Sequence, residues 1–396
     1  MISDNKTQHL GTIYRLVEQF ELISRTDLAK LSGFAPASIT NLTKSLIDNK
    51  FILERSVQNN TSRGRPAVGL SVSNFFWQLL CFTLSPEKIE ISLCELNGKP
   101  IQSKEYPLLE KDYPILDEYT LICLKDFFWH SPLEESRILA VSVSVIGRIN
   151  AHKTEIIQLG QTELHCPIIT TLQNHFERPI LLNEHFQLWL FTESTLGSLI
   201  GNDNVIFLQL DDSVNLSVLL RGSLLHQQSK MNVDKMIMPK FSLLSDEANA
   251  IDCNEIEKYQ LKNQITFSAI VRLIDKHLPN NLCHQNEKIQ FLCEQIELEH
   301  PEALRILSHI SDNLAYVLMN LINIFSTEKI MLNSPLLQIK HKLFEQIQAK
   351  LGKNLLIDNH IDLVSSQYDW NDTLIACSAI KQGIYEGNLI KDIIQL

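Results

Sequence analysis

The chain has 396 residues, of which 44% are hydrophobic and 20% are charged, and its formal net charge at pH 7 is −11. This length excludes a single small module and predicts two or three domains of about 100–200 residues each. No apolar run reaches the roughly 18 residues of a membrane-spanning helix, so membrane insertion is not expected. The N-terminal segment has neither the basic start nor the apolar core of a secretory signal, which predicts a cytoplasmic protein.

The cysteines agree with that compartment. All eight are scattered along the chain, and no two of them form a C-x-x-C pair. This pattern is typical of reduced, mostly buried thiols and not of a disulfide framework.

The acidic balance of the whole chain contrasts with a locally basic stretch near the N-terminus. Six basic residues lie between Lys30 and Arg65, against only Asp48 and Glu54. Affinity for phosphate comes mainly from Lys and Arg. The distribution therefore predicts a small DNA-binding module attached to a larger acidic domain with a different task.

Two helices are predicted before residue 33. An amphipathic helix that ends before Ile23 is indicated by four apolar residues at helical spacing, Leu10, Ile13, Val17 and Phe20. A capping-box pattern over residues 24–27 then begins a short helix, residues 26–32. Leu28 and Leu31 are expected to point inward, and Gly33 supplies the left-handed end.

A third helix follows at Pro36, which suits a first helical turn. Ile39, Leu42 and Leu46 form its narrow buried stripe. The other face carries short or hydrogen-bonding side chains, which a helix needs to lie close to base edges in the major groove. The predicted DNA-contacting residues of this helix are Pro36, Ala37, Ser38, Thr40, Asn41 and Lys44.

A hairpin with a basic loop completes this module. Residues 51–57 and 67–72 predict two strands, and the polar loop between them carries Arg63 and Arg65. This is the layout of a wing, whose Arg side chains could enter the minor groove or hold phosphate. The alternative is a small packing domain with a solvated loop. We favour the DNA-binding interpretation because helices, capped turn and basic hairpin occur together in order.

From residue 75 onward the pattern is that of an α/β domain. Strands are predicted at residues 77–84, 88–96, 138–145, 179–182, 205–210, 216–220 and 329–333, with a helix-rich stretch over 256–324 and a closing strand-helix pair over 355–395.

Several segments carry a resemblance to a known family. The motifs are residues 11–16 (GTIYRL), 24–28 (SRTDL), 35–40 (APASIT), 63–70 (RGRPAVGL), 323–335 (NIFSTEKIMLNSP) and 387–390 (GNLI). Together they closely resemble the Mlc/NagC repressors of the ROK family, and the motif at 63–70 favours the Mlc branch. The resemblance covers essentially the whole chain.

The resemblance implies an α/β fold class, an N-terminal winged helix-turn-helix followed by an actin-like, two-lobed sugar-kinase-like domain. We expect a DNA-binding domain at 1–72, a first lobe at 73–195 and a second lobe at 196–396, with C-terminal helices returning to the first lobe. The family implies binding to double-stranded DNA, homodimers or tetramers, and repression of sugar-uptake genes. Mlc-like repressors are released by the unphosphorylated IIB domain of the glucose phosphotransferase transporter, and NagC-like repressors by a phosphorylated amino sugar.

The family's kinase chemistry is incomplete in this sequence. The first hairpin, residues 81–88, has no glycine for backbone contact with ATP, and the second glycine motif is replaced by residues 215–217 (NLS). The catalytic Asp position holds His185, within the segment Asn183, Glu184 and His185. Glu184 could act as a base. The alternative that we favour is a partly buried polar pair left from a lost site, so no catalytic residue is predicted.

The family's zinc and sugar ligands are also reduced. In the matching stretch, residues 234–253, Ile237 replaces the His, Asp234 keeps one carboxylate, and Cys253 is the single thiol. One thiol does not make a zinc site, so neither a metal nor a cofactor is expected. Cys283, His284 and Cys293 are a conceivable substitute cluster, but core and surface positions are the preferred interpretation. A free sugar effector is doubtful, because a site that has lost a hydrogen-bonding partner loses specificity.

The C-terminal segment leaves two possibilities open. Residues 379–396 place five isoleucines among charged residues. The early part is expected to pack against the first lobe, whereas residues 389–396 suit either core packing or an exposed amphipathic helix used for assembly.

The sequence thus predicts a transcriptional repressor of sugar uptake or metabolism genes that is controlled by a protein partner and is not an enzyme. The alternatives are a ROK-type sugar kinase with a DNA-binding arm, a sugar-phosphate-responsive regulator, and an interaction module that only binds a transporter domain.

Overall fold

The computed structural model describes residues 2–57, 67–129, 134–225, 231–249, 253–327, 329–352 and 361–394. It is a mixed α/β chain, as predicted. Contacts divide it into two compact units, one of Met1–Thr195 with Asp369–Leu396 and the other of Leu196–Tyr368. Within the described residues, no helix has both the length and the hydrophobicity needed to cross a membrane.

The first unit begins with three helices and a hairpin, the arrangement of a winged helix-turn-helix. Its elements are α1 (Ile2–Gln19), α2 (Arg25–Ser32), α3 (Pro36–Asp48), β1 (Ile52–Val57) and β2 (Ala67–Val72). The two strands are antiparallel, and Ile23 pairs with Leu70 through two backbone hydrogen bonds of 3.0 and 2.8 Å. This pairing fixes the turn between α1 and α2 to the hairpin. The wing loop, with Arg63 and Arg65, lies outside the described residues.

The local signals for α2 are confirmed. Ser24 is the N-cap, and its hydroxyl oxygen accepts a hydrogen bond from the Asp27 N–H at 3.1 Å. Gly33 ends the helix with φ 71°, in the left-handed region where a glycine has no Cβ to clash. Leu28 is buried, and so is the predicted α3 stripe of Ile39, Leu42 and Leu46.

The predicted inward position of Leu31 is wrong, and Phe20 departs from the apolar stripe of α1. Phe20 is 51% exposed and Leu31 is 52% exposed. Because α1 ends at Gln19, Phe20 lies in the following turn and leaves the apolar stripe of the helix. In the two-turn helix α2, Leu28 is the only fully buried residue, and Leu31 lies in the last turn beyond it. Helical spacing therefore overestimates burial at the ends of short helices.

The rest of the first unit carries a five-stranded sheet. Its elements in chain order are β3 (Gln78–Leu84), β4 (Lys88–Glu95), β5 (Pro100–Pro107), α4 (Leu116–Phe127), β6 (Ile138–Val145), β7 (Gly147–Ile149), β8 (Ile156–Leu159), β9 (Thr162–Cys166), α5 (Ile168–Gln173), β10 (Ile180–Glu184) and α6 (His185–Leu196). The strand order is β10-β6-β3-β4-β5, with β10, β6 and β3 parallel and the β3-β4-β5 pairs antiparallel. Strands β7 to β9 form a separate small sheet.

The second unit is built on another mixed sheet with helices. Its elements are β11 (Val205–Leu210), β12 (Val214–Leu220), β13 (Ser223–Leu224), β14 (Met231–Asn232), α7 (Leu244–Glu247), α8 (Lys262–Ile265), α9 (Phe267–His277), α10 (Gln285–Glu297), α11 (Pro301–Phe325), β15 (Lys329–Asn333), α12 (Lys340–Leu351) and β16 (Asp362–Ser365). The strand order is β13-β12-β11-β15-β16, and β14 also pairs with β12. The 25-residue helix α11 contributes much of the buried core.

The chain then returns to the first unit with α13 (Thr373–Tyr385) and α14 (Asn388–Ile394). One apolar cluster joins α1, the sheet and these last helices, and it contains Leu10, Cys81, Cys377 and Ile390. Leu389 and Ile390 are buried. Of the two possibilities for the C-terminal end, core packing therefore holds for Leu389 and Ile390, and Ile393 and Ile394 are half-buried against the same cluster.

Candidate functional site

The polar face of α3 is open to solvent. All six residues predicted to contact DNA on this helix are exposed, namely Pro36, Ala37, Ser38, Thr40, Asn41 and Lys44. The opposite face is buried against the module, with Ile39 and Leu46 fully inaccessible. The helix is therefore held by one face and presents the other to a ligand.

These side chains keep hydrogen-bonding capacity. The Thr40 hydroxyl donates to the Pro36 carbonyl at 3.0 Å, which leaves its oxygen able to accept. Within the described part of the chain, the Ser38 and Asn41 side chains have no hydrogen-bond partner and Lys44 has no carboxylate partner. An exposed face of short groups with free donors and acceptors suits contact with base edges.

Arg25 positions α3, which the sequence analysis did not predict. Its Nε donates to Thr43 Oγ1 on α3 at 3.0 Å, and its Nη2 donates to Glu54 Oε1 on β1 at 2.7 Å. Thr43 is fully buried and also donates to the Ile39 carbonyl at 2.8 Å. One guanidinium thus joins α2, α3 and β1. No local sequence pattern marks this role, because Thr43 and Glu54 lie 18 and 29 residues from Arg25.

The positive charge of the module is partly neutralised within it. Arg25 pairs with Glu54, and Lys30 lies 3.5 Å from Asp27. Among the described residues, Lys44, Lys50 and Arg55 have no carboxylate within ion-pair distance. The unneutralised charge therefore lies on α3 and just after it, where phosphate contacts would position a recognition helix.

A buried polar cluster fixes α1 to the last helices of the chain. Lys381 on α13 is 1% exposed, and its ammonium donates to the Glu18 carboxylate of α1 and, at 3.2 Å, to the Leu96 carbonyl. The Tyr385 hydroxyl donates to the other Glu18 oxygen at 2.5 Å. We call Glu18, Lys381 and Tyr385 the α1 anchor. Burial, and then the Glu18 charge, raises the pKa of Tyr385 well above its usual value, which keeps this hydroxyl a donor.

Glycine allows this close approach. A Cβ at Gly11 of α1 would lie 2.2 Å from the Tyr385 carbonyl oxygen, and one at Gly387 would lie 2.3 Å from the Thr7 carbonyl oxygen. Backbone meets backbone at both points, so no side-chain adjustment relieves the clash. Each of these glycines, one from the motif at 11–16 and one from the motif at 387–390, thus lets α1 approach the end of α13 closely.

The segment in place of the kinase base is occupied by the protein's own contacts. His185 is 1% exposed, its Nε2 donates to the Trp370 carbonyl at 2.8 Å, and its Nδ1 lies 2.8 Å from Ser144 Oγ. Since a carbonyl only accepts, Nε2 carries the proton and Nδ1 accepts from the serine hydroxyl. Burial lowers the pKa of His185 to about 4. The imidazole is thus neutral and has both nitrogens occupied.

Asn183 and Glu184 also face other groups of the first unit. Lys153 Nζ donates to Asn183 Oδ1 at 3.0 Å, and the Ile149 N–H donates to Glu184 Oε1 at 3.4 Å. Glu184 is 1% exposed. Burial lowers the pKa of Lys153, and the Glu184 charge acts in the opposite direction. These contacts support the interpretation of a retained polar cluster.

Asp234 lies in the second unit and closes a turn. Its Oδ1 accepts from the Val214 N–H at 2.6 Å and its Oδ2 from the Asn232 side-chain amide at 2.7 Å. Ile237, at the former His position, is 54% exposed. The carboxylate thus stabilises the pairing of β12 with β14.

The two segments that lack the family's glycines are closed by protein groups. In the β3-β4 turn, the Ser85 N–H donates to the Lys88 carbonyl at 3.0 Å and the Lys88 N–H to Ser85 Oγ at 3.1 Å. In the second unit, Asn215 and Leu216 of β12 pair with Asn232 and Met231 of β14. In the β3-β4 turn the Ser85 and Lys88 N–H groups are thus hydrogen-bonded within the chain, and in β12 residues 215 and 216 are paired with β14.

In the parts of the chain that the structure describes, no group of three or more His, Cys, Asp or Glu side chains has the spacing of a metal site. Cys253 is half-buried and Cys283 is exposed, whereas Cys293 is buried within α10.

Comparison with known proteins gives full-length matches. No family model matches the chain. The DNA-binding transcriptional repressor Mlc of Escherichia coli K12 is 24% identical over the whole of both chains. The DNA-binding transcriptional dual regulator NagC of the same organism is 19% identical over 98% of this chain and 96% of its own length.

Solved structures share the fold. A ROK family transcriptional regulator described as a homologue of E. coli Mlc superposes with a TM-score of 0.80 at 24% identity, covering 99% of this chain and all of its own. A putative sugar kinase from Cytophaga hutchinsonii gives a TM-score of 0.60 at 13% identity and covers 76% of this chain and 99% of its own. The kinase match stops short of the full length, whereas the regulator match does not. The chain therefore has the ROK fold with an N-terminal winged helix-turn-helix, and its full-length sequence similarity is to Mlc and NagC.

Proposed function

We propose that this protein is a cytoplasmic transcriptional repressor that binds double-stranded DNA through α3. The observation that carries the proposal is the solvent-exposed face of α3, whose Ser38, Asn41 and Lys44 lack partners in the described chain while the other face is buried. In a winged helix-turn-helix, this is the helix that lies in the major groove. The names of the full-length relatives Mlc and NagC support the same function.

The contacts are assigned as follows. Residues 1–72 form the DNA-binding domain, in which Ala37, Ser38, Thr40, Asn41 and Lys44 face base edges and Pro36 begins the helix. Arg63 and Arg65 contact the minor groove or phosphate from the wing. A homodimer or tetramer presents two such modules to two half-sites.

We propose control by a protein partner instead of by catalysis. His185 is neutral and fully bonded, Asp234 closes a turn, the Ser85 and Lys88 N–H groups bond within their own turn, and residues 215 and 216 pair with β14. The resemblance to the Mlc branch makes the unphosphorylated IIB domain of a phosphotransferase transporter the first partner to test, and sugar-uptake genes the first targets.

DNA binding is tested by titrating the full chain onto labelled promoter fragments of sugar-uptake genes at moderate salt, with unlabelled nonspecific DNA as competitor. We expect a specific complex, and a lower affinity in the Arg63→Ala/Arg65→Ala variant, because each arginine contributes a phosphate or minor-groove contact. Lys125→Ala is the matched control, since Lys125 is an exposed lysine of α4 outside the module. Absence of a specific complex, or equal affinity of the double variant, would contradict the proposal.

The sugar kinase is the second candidate because the fold is shared with a putative sugar kinase. An assay of sugar-dependent ATP turnover over a panel of hexoses and amino sugars separates the two. We expect no turnover above that of the protein without sugar. Addition of the unphosphorylated IIB domain to the preformed DNA complex, with the phosphorylated domain as control, then tests whether a partner releases the DNA.

A further inference from the structure

Three cysteines that are far apart in sequence meet inside the first unit. Cys81 lies on β3, Cys94 on β4 and Cys377 on α13, and each is at most 1% exposed. The Sγ atoms of Cys81 and Cys377 are 3.6 Å apart. The remaining described cysteines lie elsewhere, and Cys283 among them is exposed. Nothing in the proposed DNA-binding function uses this group of thiols.

We propose that Cys81 and Cys377 are a redox-active dithiol that a hydroperoxide or a small-molecule disulfide converts to an intramolecular disulfide. The sulfurs must approach from 3.6 Å to the ~2.05 Å of an S–S bond. Side-chain rotation and a small shift of α13 toward β3 supply this movement. The sheet and the C-terminal helix would then be joined covalently.

Strand geometry disfavours a disulfide between the two cysteines of the sheet, Cys81 and Cys94. Leu79 is opposite Cys94, and Cys81 is opposite Ser92, so the two sheet cysteines are diagonal neighbours on adjacent strands. Diagonal neighbours have Cα atoms roughly 7–8 Å apart, at or beyond the limit for a disulfide. Cys377 approaches from the helix above the sheet and is not subject to that limit.

The Cys81 and Cys377 thiols are protonated in the resting protein, whereas the contact with Cys377, the contact with Cys81 and the Lys381 charge lower the pKa of Cys94 to about 4. The contact with Cys377, the contact with Cys94 and burial all raise the pKa of Cys81. For Cys377, the contact with Cys81 lowers the pKa, but the contact with Cys94 and burial outweigh it and raise it. Since the thiolate is the nucleophile, the pair reacts slowly and only during openings of α13.

The reaction balances with a hydroperoxide as the oxidant. One thiol loses its proton and attacks the peroxide oxygen, which forms a sulfenic acid and releases the leaving hydroxide or alkoxide. The second thiol attacks that sulfur, the S–S bond forms, and water leaves. In total the two thiols lose two electrons and two protons, and the hydroperoxide is reduced to water and an alcohol or to two water molecules. With a small-molecule disulfide, the first thiolate breaks its S–S bond, forms a mixed disulfide and releases one thiol. The second protein thiol then displaces the other half as a second thiol.

The position of the pair gives the disulfide a structural consequence. Cys377 and Lys381 are four residues apart on α13 and so lie on the same side of the helix. Lys381 belongs to the α1 anchor. A covalent bond at Cys377 therefore restrains the helix turn that holds α1 in place. Formation of the disulfide does not depend on DNA binding, so this inference is independent of the proposed function.

The experiment treats the reduced full-length protein with hydrogen peroxide, and separately with oxidised glutathione. Free thiols are then alkylated in denaturant and crosslinked peptides are identified by mass spectrometry. We expect a β3 peptide joined to the α13 peptide within one chain, a raised thermal midpoint, and reversal of both by dithiothreitol. Cys94→Ser is the matched variant and keeps the crosslink, whereas Cys377→Ser loses both the crosslink and the shift in midpoint.

Oxidation or glutathionylation of the exposed Cys283 shows that the reagent was active. Cys81 and Cys377 recovered as free thiols in such a sample would overturn the proposal. So would a crosslink that joins Cys377 to Cys94, one that joins two chains, or one that forms only in denaturant.

Discussion

The polar residues of α3 and those at the end of β10 differ in what their polar atoms face. On α3, Ser38 and Asn41 are exposed and have no partner in the described chain, whereas His185 is buried with both ring nitrogens hydrogen-bonded. Both segments resemble functional motifs of one family. Free hydrogen-bonding capacity at the surface, and not residue type alone, distinguishes a segment able to bind a ligand from one that stabilises the fold.

The α1 anchor gives the largest expected effect, because it tests whether a buried polar contact stabilises the fold. We expect Lys381→Met to destabilise the first unit by about 3–5 kcal/mol, because the nearly buried Glu18 carboxylate loses its countercharge. Urea unfolding measures the loss, and Glu18→Gln/Lys381→Met should recover part of it since no buried charge remains. Unchanged stability in the single variant would mean that the anchor does not hold α1.

The buried histidine gives a pH-dependent effect. Its pKa in the folded protein is about 4, below the ordinary value of about 6.5, so the unfolded chain binds a proton first as the pH falls. Stability from this group is full above pH ~6.5 and is lost toward pH ~4, by about 3 kcal/mol at most. We compare unfolding free energies of the wild type and His185→Gln over this range, and expect the wild type to fall more steeply. If the unfolding free energies of the two proteins fell equally with pH, a group other than His185 would be responsible.

Substitutions on the exposed face of α3 should lower DNA affinity and leave stability unchanged. We expect Asn41→Ala/Lys44→Ala to weaken specific DNA binding by about 30-fold or more, since each of the two lost contacts costs about 1–3 kcal/mol. The unfolding midpoint should stay unchanged because neither side chain packs inside the module. Fluorescence anisotropy and thermal unfolding of the same samples measure both quantities. A fall in stability with unaltered DNA affinity would remove the distinction between the two regions.

The smallest effect concerns the turn before α3. Gly33→Ala should cost about 1 kcal/mol of stability, because φ 71° is strained for a residue with a Cβ although the space around it is open. Gly201→Ala is the matched variant and should lose a similar amount, because Gly201 also has a positive φ, 80°, with open space around it. Thermal unfolding compares them, and a loss well above that value would indicate a clash in place of simple backbone strain.

Sequence patterns predicted the elements whose signals are local or strongly periodic. The buried strands at residues 138–145 and 329–333 have the predicted bounds, and the cap at Ser24 and the stop at Gly33 lie where the motifs placed them. The edge strand β5 and the small sheet β7 to β9 were not predicted. Residues of β5 such as Gln102 and Lys104 are largely polar and lie on the sheet edge, so hydrophobic periodicity gives no signal there.

For the candidate site too, the sequence predicted the features that depend on residue type and missed those that depend on distant partners. The composition of residues 36–44 indicated a recognition helix, and the missing glycines and the His in place of Asp indicated lost kinase chemistry, since these depend on residue type at a position. The role of Arg25 did not follow from sequence, because its partners Thr43 and Glu54 are 18 and 29 residues away. The wing arginines Arg63 and Arg65 remain a prediction from sequence.

By itself, the sequence determined the winged-helix elements, the polar face of α3 and the absence of the family's glycine motifs. Each of these features depends only on residues that are close together in the chain. Only the tertiary structure decided that Gly11 meets Tyr385, that Lys381 holds Glu18, and that Cys81 lies beside Cys377. These contacts join segments about 300 residues or more apart, where no local pattern links the partners. They form because α13 and α14 return to cover the sheet and α1, which buries apolar surface that neither end of the chain could bury alone.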